Sequence, residues 1–128
     1  MKRTALVGIL AMIINAQMAF AEITEKRVEY KLDSVSLIGF IYSDTTKTEN
    51  LPGVLVFSDW MGVGPFAKER GKQLAALGYR AFVADIYGNG LRAKNQEEAA
   101  QLATKYKSDR PLMRKRAESA LQALLANA

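Results

Sequence analysis

Two short stretches carry the residue types that could do chemistry: Asp59-Trp60-Met61-Gly62-Val63-Gly64 and Asp85-Ile86-Tyr87-Gly88-Asn89-Gly90-Leu91-Arg92. Each follows an apolar run. In open parallel sheets, reacting groups gather beyond the carboxyl ends of the strands, so these two stretches are where function is sought. What is missing narrows the chemistry further. The sequence has no cysteine and no histidine, which rules out thiolate metal sites and a thiol nucleophile. It also removes the usual general base for an activated serine. A triad-type hydrolase cannot be assembled from these residues alone.

A competing motif overlaps the first stretch. Gly62-x-Gly64-x-x-Ala67 matches a relaxed dinucleotide fingerprint, and Asp85 ends the next apolar run at a distance suited to a ribose contact. Two features count against it. The first glycine comes late after the apolar run, and Pro65 removes one of the N–H groups that would face a pyrophosphate. Glu97, Glu98 and Asp109 read as helix-start residues in preference to metal ligands, and no cofactor is expected. The cations Arg110, Arg114, Lys115 and Arg116 read as a solvated helix face, not a nucleic-acid patch.

The elements that must position these stretches follow from periodicity. Val54 to Phe57 are four consecutive apolar residues, preceded by Pro52-Gly53 and followed by a glycine-rich turn, the pattern of a parallel strand buried on both faces. A helix from Pro65 to Leu77, closed by Gly78, and a second strand from Tyr79 to Ala84 complete a βαβ unit. Phe66, Arg70, Leu74 and Leu77 follow helical spacing along the inner face, with Lys68, Glu69 and Lys72 outward. Upstream, Thr24 to Leu32 and Val35 to Tyr42 alternate in character about Asp33-Ser34 and read as an antiparallel hairpin at a sheet edge. Downstream, Asn95 and Glu98 resemble a capping box that opens one helix. Pro111 lies in the first turn of a last helix striped by Met113, Ala117, Ala120, Leu121, Leu124 and Leu125.

Residues 1–21 stand apart. Lys2 and Arg3, the apolar run Ala5 to Ile14 and the small-x-small pattern Ala19-Phe20-Ala21 read as a secretory signal peptide, so the mature product is expected to be exported, periplasmic or secreted, with no membrane contact after cleavage. Residues 22–128 are enough for one domain. Without Lys2 and Arg3 the 18 basic residues fall to 16 against 13 acidic, a net charge of +3. So small and scattered an excess gives no reason to expect a nucleic-acid partner.

The segments Pro52-Gly53-Val54-Leu55-Val56-Phe57-Ser58-Asp59-Trp60-Met61-Gly62-Val63, Ala75-Ala76-Leu77-Gly78-Tyr79 and Ala84-Asp85-Ile86-Tyr87-Gly88 resemble the dienelactone hydrolase family of α/β-hydrolases. The likeness runs from about Glu25 to the last helix and corresponds to the amino-terminal half of such a domain. It implies a partial α/β-hydrolase fold: an antiparallel edge hairpin leading into parallel strands with covering helices. It also implies a hydrolase of carboxylic esters or lactones. In that family the cysteine or serine nucleophile sits on a Gly-x-Cys/Ser-x-Gly elbow, with aspartate and histidine further on. No such elbow occurs in this sequence, so the triad is expected from a further, carboxyl-terminal part.

The resemblance assigns roles to four residues. Asp59 falls where family members often carry a glutamate that primes the nucleophile, though aspartate is one methylene shorter and loop-capping is its simpler use. Trp60 falls at the position whose backbone N–H contributes to the oxyanion hole, a role nearly indifferent to the side chain. Asn89 stands where the family's substrate-carboxylate arginine is found, and asparagine cannot make a bidentate anion clamp. Arg92 is the nearest cation that could substitute, so the pair is the candidate substrate-binding set. The partner implied is a small-molecule ester or lactone.

The last two helices are expected to cover a sheet that is only begun. The alternative to a catalytically incomplete hydrolase is an exported, non-catalytic binding module. Either way, an unpaired strand edge predicts marginal stability and self-association.

Overall fold

The computed structural model describes residues 20–128. The expected signal peptide lies almost wholly outside the described residues. Four strands, β1 (Ile23–Leu32), β2 (Val35–Asp44), β3 (Gly53–Phe57) and β4 (Arg80–Ala84), form one sheet in the order β1-β2-β4-β3. Three helices accompany it: α1 (Pro65–Ala76), α2 (Gln96–Ser108) and α3 (Arg110–Ala126).

The hairpin forms as the alternation requires. β1 and β2 pair antiparallel with Leu32 opposite Val35, leaving Asp33-Ser34 as a two-residue turn. Asp33 takes the left-handed φ of 53° that such a turn needs. Half of β1 is charged (Glu25, Lys26, Arg27, Glu29 and Lys31), which suits a strand at a sheet margin. β2 then pairs antiparallel with β4, and β4 pairs parallel with β3. The expected βαβ unit is therefore present as β3-α1-β4.

The strand buried on both faces is β4, however, and not β3. Because α1 carries the chain back between β2 and β3, β4 becomes the interior strand, with Ala81, Phe82, Val83 and Ala84 all buried. β3 lies at the other sheet margin. Its Val54, Leu55 and Val56 are only half-buried, and Phe57 is 48% exposed.

Side-chain alternation splits the core in two. Ala81 and Val83 of β4 join Tyr42, Val63, Ala67 and Ala75 under α1. Phe82 and Ala84 join Val28, Ile41, Ala120, Ala123 and Leu124 under α3.

Both helices turn inward only part of the stripe marked out for them: Leu74 of α1 and Ala120 and Leu124 of α3 pack on the core, and the rest of each inner face is made by other residues. α1 buries Ala67, Gly71 and Ala75, while Phe66 and Leu77 are exposed. Close approach explains this: a Cβ on Gly71 would lie 2.5 Å from the Tyr42 ring, so only small residues fit between α1 and the sheet. Phe66 instead lies under the Arg70 guanidinium, 4.9 Å from its centroid. In α3 the buried residues are Arg116, Ala120, Ala123 and Leu124, and Met113, Leu121 and Leu125 face out. Arg116 thus departs from the solvated face expected of it.

The helix ends follow the sequence signals. Gly78, at φ 95°, closes α1: its N–H donates to Ala75 O and the Tyr79 N–H to Leu74 O, the paired bonds of a Schellman motif. Asn95 Oδ1 accepts from the Glu98 N–H at the start of α2. Glu98 reaches back to the Lys94 N–H, one residue ahead of the cap itself. Asp109 Oδ1 caps α3 by accepting from the Leu112 N–H.

Candidate functional site

The turns after β3 and β4 meet beyond the carboxyl ends of the two parallel strands. They form one wall of an apolar cavity of about 470 Å³ whose other wall is α2 and α3. Phe57, Asp59, Trp60, Tyr87, Tyr106 and Met113 are among its lining residues.

Local hydrogen bonds fix the first turn. Asp59 Oδ1 accepts from the Met61 N–H at 2.9 Å, and Asp59 O accepts from the Gly62 N–H at 3.3 Å. This is the loop-capping use that short acids make of a turn. Gly62 needs its φ of 90° here, and a Cβ on it would lie 2.7 Å from Leu91 O. The Ala93 N–H donates to Met61 O at 3.0 Å, joining this turn to the end of the second loop. Trp60 is 45% exposed. Its carbonyl accepts from the Tyr87 hydroxyl at 2.7 Å.

Tyr87 is itself held from α2. The Tyr106 hydroxyl donates to Tyr87 O at 2.8 Å, and the two rings lie 5.3 Å apart. Burial pushes the Tyr87 hydroxyl above its ordinary pKa, with the nearby Asp59 carboxylate and Tyr106 adding to the shift. The group therefore stays protonated, and a donor, at neutral pH.

The second turn hangs on Asp85. Its buried carboxylate accepts from the Gly88 N–H on one oxygen and from the Ile38 and Gly90 N–H groups on the other, at 2.8–3.1 Å. Its backbone N–H and carbonyl both bond the Tyr30 hydroxyl. With its oxygens engaged in this way, Asp85 has no free geometry for a ribose, which removes the main support for a dinucleotide reading. Gly88, Asn89 and Gly90 follow with φ of 95°, 54° and 67°. Asparagine suits such a run because it tolerates the left-handed region better than other non-glycine residues.

Arg116 of α3 packs beneath this turn, with Nη1 3.1 Å from where a Gly88 Cβ would lie. Its Nε and Nη1 are buried without a hydrogen bond among the described residues.

The four residues singled out from sequence fall into two places. Asp59 and Trp60 line the apolar cavity at the strand ends. Asn89 and Arg92 line a separate cleft of about 400 Å³ at the start of α1, with Ile38, Phe40, Gly64 and Lys68. The Arg92 guanidinium packs against Gly64, its Nη2 2.7 Å from a Cβ built there. Asn89 is tied down through its N–H, which donates to Ser36 O at 2.7 Å.

Sequence reasoning gave no role to Tyr106 or Tyr30, nor to Tyr87 although it lies within the second stretch. The signal available was a tyrosine in an apolar setting, whose hydroxyl must find a partner when buried.

A family model described as the dienelactone hydrolase family matches residues 37–128. Among solved structures, the chain is 35% identical to a dienelactone hydrolase-like promiscuous phosphotriesterase from metagenomic libraries, with a TM-score of 0.76. It is 30% identical to a structure called m3DLH, with a TM-score of 0.78. Each match covers 81% of this chain and 43% of the other, so the chain spans less than half the length of these structures. A search of curated proteins finds no match.

Proposed function

Because the chain belongs to the dienelactone hydrolase family, a family of hydrolases with an α/β fold, we propose that it forms the amino-terminal part of a carboxylic ester or lactone hydrolase. It supplies the oxyanion side and the acyl pocket. The attacking cysteine or serine and the histidine come from polypeptide outside these 128 residues. The observation that carries the reading is the Asp59–Gly62 turn, set at the carboxyl end of β3 against an apolar cavity. The absence of cysteine and histidine, and the 43% span of the matched structures, support the division of labour.

In this mechanism the nucleophile attacks the ester carbonyl, and negative charge develops on its oxygen. The Trp60 N–H donates to that oxygen. A single donor of this kind is worth about 10²–10³ in rate. Asp59, with Oδ1 committed to the Met61 N–H, keeps Oδ2 for the proton of the approaching nucleophile. That proton passes by way of the histidine to the departing alkoxide, which leaves as the alcohol. The histidine then takes a proton from the water that attacks the acyl-enzyme and returns it to the nucleophile as the acid is released. The apolar cavity takes the acyl or aryl part.

Asn89 offers no clamp for a substrate carboxylate, and both Asn89 and Arg92 lie in the second cleft. An uncharged ester is therefore the favoured substrate. One relative's description as a promiscuous phosphotriesterase makes an uncharged aryl phosphotriester the second compound to test. The amino-terminal signal pattern supports export to the periplasm or beyond.

The test is hydrolysis of p-nitrophenyl acetate and of diethyl p-nitrophenyl phosphate. The 128-residue chain alone is expected to match buffer. The protein from a reading frame that continues into Gly-x-Cys-x-Gly or Gly-x-Ser-x-Gly and a later histidine is expected to turn over the carboxylic ester. Activity of the chain alone overturns the division of labour, and silence of the longer protein overturns the hydrolase reading.

A further inference from the structure

The peptide unit between Trp60 and Met61 is held at both ends. Its carbonyl, Trp60 O, accepts from the Tyr87 hydroxyl at 2.7 Å, and its N–H, on Met61, donates to Asp59 Oδ1 at 2.9 Å. A planar peptide gripped on opposite edges cannot swing about its Cα–Cα axis. That restrains ψ of Trp60, while the Asp59 O to Gly62 N–H bond holds the preceding peptide, whose N–H is that of Trp60. Among the described residues, the Trp60 N–H has no hydrogen-bond acceptor. The value of such a donor depends on its aim: it must point at where charge will form before the charge exists.

We propose that Tyr87 is the positioning residue for the Trp60 N–H, a hydroxyl strut that sets the direction of the oxyanion donor without itself meeting the reacting atoms. The proposal rests on the ester-hydrolase reading for its purpose, but not for its geometry. Tyr106 is the footing of the strut. It holds the Tyr87 backbone from α2 and stacks obliquely on its ring. Tyr87 sits on the turn after β4 and Trp60 on the turn after β3, so the strut is a second tie between the two turns, beside the Ala93 N–H to Met61 O bond.

Asp59 takes part in a second way. Its carboxylate holds the far edge of the same peptide, and it lies close enough to act on the Tyr87 hydroxyl electrostatically. The first turn and the strut therefore form one unit, in which replacing Tyr87 by phenylalanine removes a single hydrogen bond and leaves the ring packing in place.

The test has two arms. The first uses the 128-residue chain and needs no turnover. Amide exchange at Met61 and emission from Trp60, the sole tryptophan, are compared between the wild type and Tyr87→Phe. Exchange at Met61 is expected to quicken about tenfold through local opening, and the Trp60 emission to shift, while Val83 in β4 keeps its protection. Unchanged Met61 exchange and emission overturn the proposal. So does an equal loss of protection at Val83, which would make Tyr87 a general stabiliser. Tyr106→Phe, which weakens the footing and spares the strut, is expected to give a smaller change at Met61 than Tyr87→Phe; an equal or larger change overturns the order proposed.

The second arm uses the longer, hydrolytically active protein. Tyr87→Phe is expected to lower kcat for p-nitrophenyl acetate at least about tenfold with KM within about twofold, the split expected when only the transition state loses an interaction. A rise in KM at constant kcat overturns the proposal. If the longer wild-type protein is inactive, the hydrolase reading fails while the exchange arm still decides the role of Tyr87.

Discussion

The Tyr30 hydroxyl bonds the Asp85 main chain twice, donating to its carbonyl at 3.2 Å and accepting from its N–H at 3.1 Å. One side chain on the marginal strand β1 thus satisfies both backbone groups at the end of the interior strand β4, reaching over β2 to do so. Burial pushes its hydroxyl well above the ordinary tyrosine pKa. Tyr30→Phe leaves two backbone groups unpaired in a part-buried setting and is expected to cost about 1–3 kcal/mol, read as a lower urea midpoint at unchanged slope. A midpoint equal to wild type would show that water replaces the hydroxyl without loss.

The small-residue face of α1 is expected to resist enlargement. Gly71→Ala would gain helix propensity of about 1 kcal/mol on an open helix. Here the new Cβ meets the Tyr42 ring at 2.5 Å and Val83 at 2.9 Å. The net effect predicted is destabilisation by about 1–3 kcal/mol, measured by thermal melting. Gly78→Ala has open space around the new Cβ and a φ of 95°, so its cost comes from backbone strain alone.

The acid limb of stability should depend on Tyr42. The Tyr42 hydroxyl donates to Glu25 Oε2 at 2.6 Å and, with Lys68 helping, holds the Glu25 carboxyl below its ordinary value of 4.5. A depressed folded-state pKa contributes stability that is present above the unfolded value and is lost as pH falls through the folded one. Wild type is therefore expected to lose stability on acidification below about pH 4.5. Tyr42→Phe should flatten that slope, most clearly at low salt. Unfolding free energies measured in urea from pH 6 to pH 3 check this, and identical slopes in both proteins would assign the acid limb to other carboxylates.

Self-association is expected at the β3 margin. Residues 53–57 carry no charge, β3 pairs with β4 alone, and Phe57 is half exposed. Sedimentation velocity on residues 22–128 should show concentration-dependent growth in mass. Phe57→Lys should reduce it by placing like charges at the margin. A monomer at all concentrations would remove the prediction.

Local signals in the sequence were strong wherever one residue type has one use. Asp33-Ser34, Gly78, Asn95 and Pro111 marked a turn, a helix stop and two helix starts, and each stands where its backbone chemistry requires. What misled was size. Phe66 and Leu77 outweigh Ala67, Gly71 and Ala75 in any count of apolarity, yet the gap between α1 and β2 admits only the small residues, and gap width is a tertiary property. The same holds for Val54 to Phe57, whose apolar run does not say whether the strand will lie inside the sheet or at its margin. In the candidate site, Asp59 and Trp60 were legible from their place after a strand. Asn89 and Arg92 went to a second cleft because three successive left-handed residues turn the loop away, a path that composition does not display.

The charges along β1 have one more effect. Charged side chains along a margin disfavour strand addition there, while β3 presents neutral, half-covered residues, so enlargement of this sheet is expected on the β3 side. Any added ribbon, contributed by a continuation of the same polypeptide or by a separate one, would be laid down alongside β3. It would then arrive next to the Asp59–Trp60 turn and the cavity that this turn lines, so that the direction of growth also decides what closes that cavity.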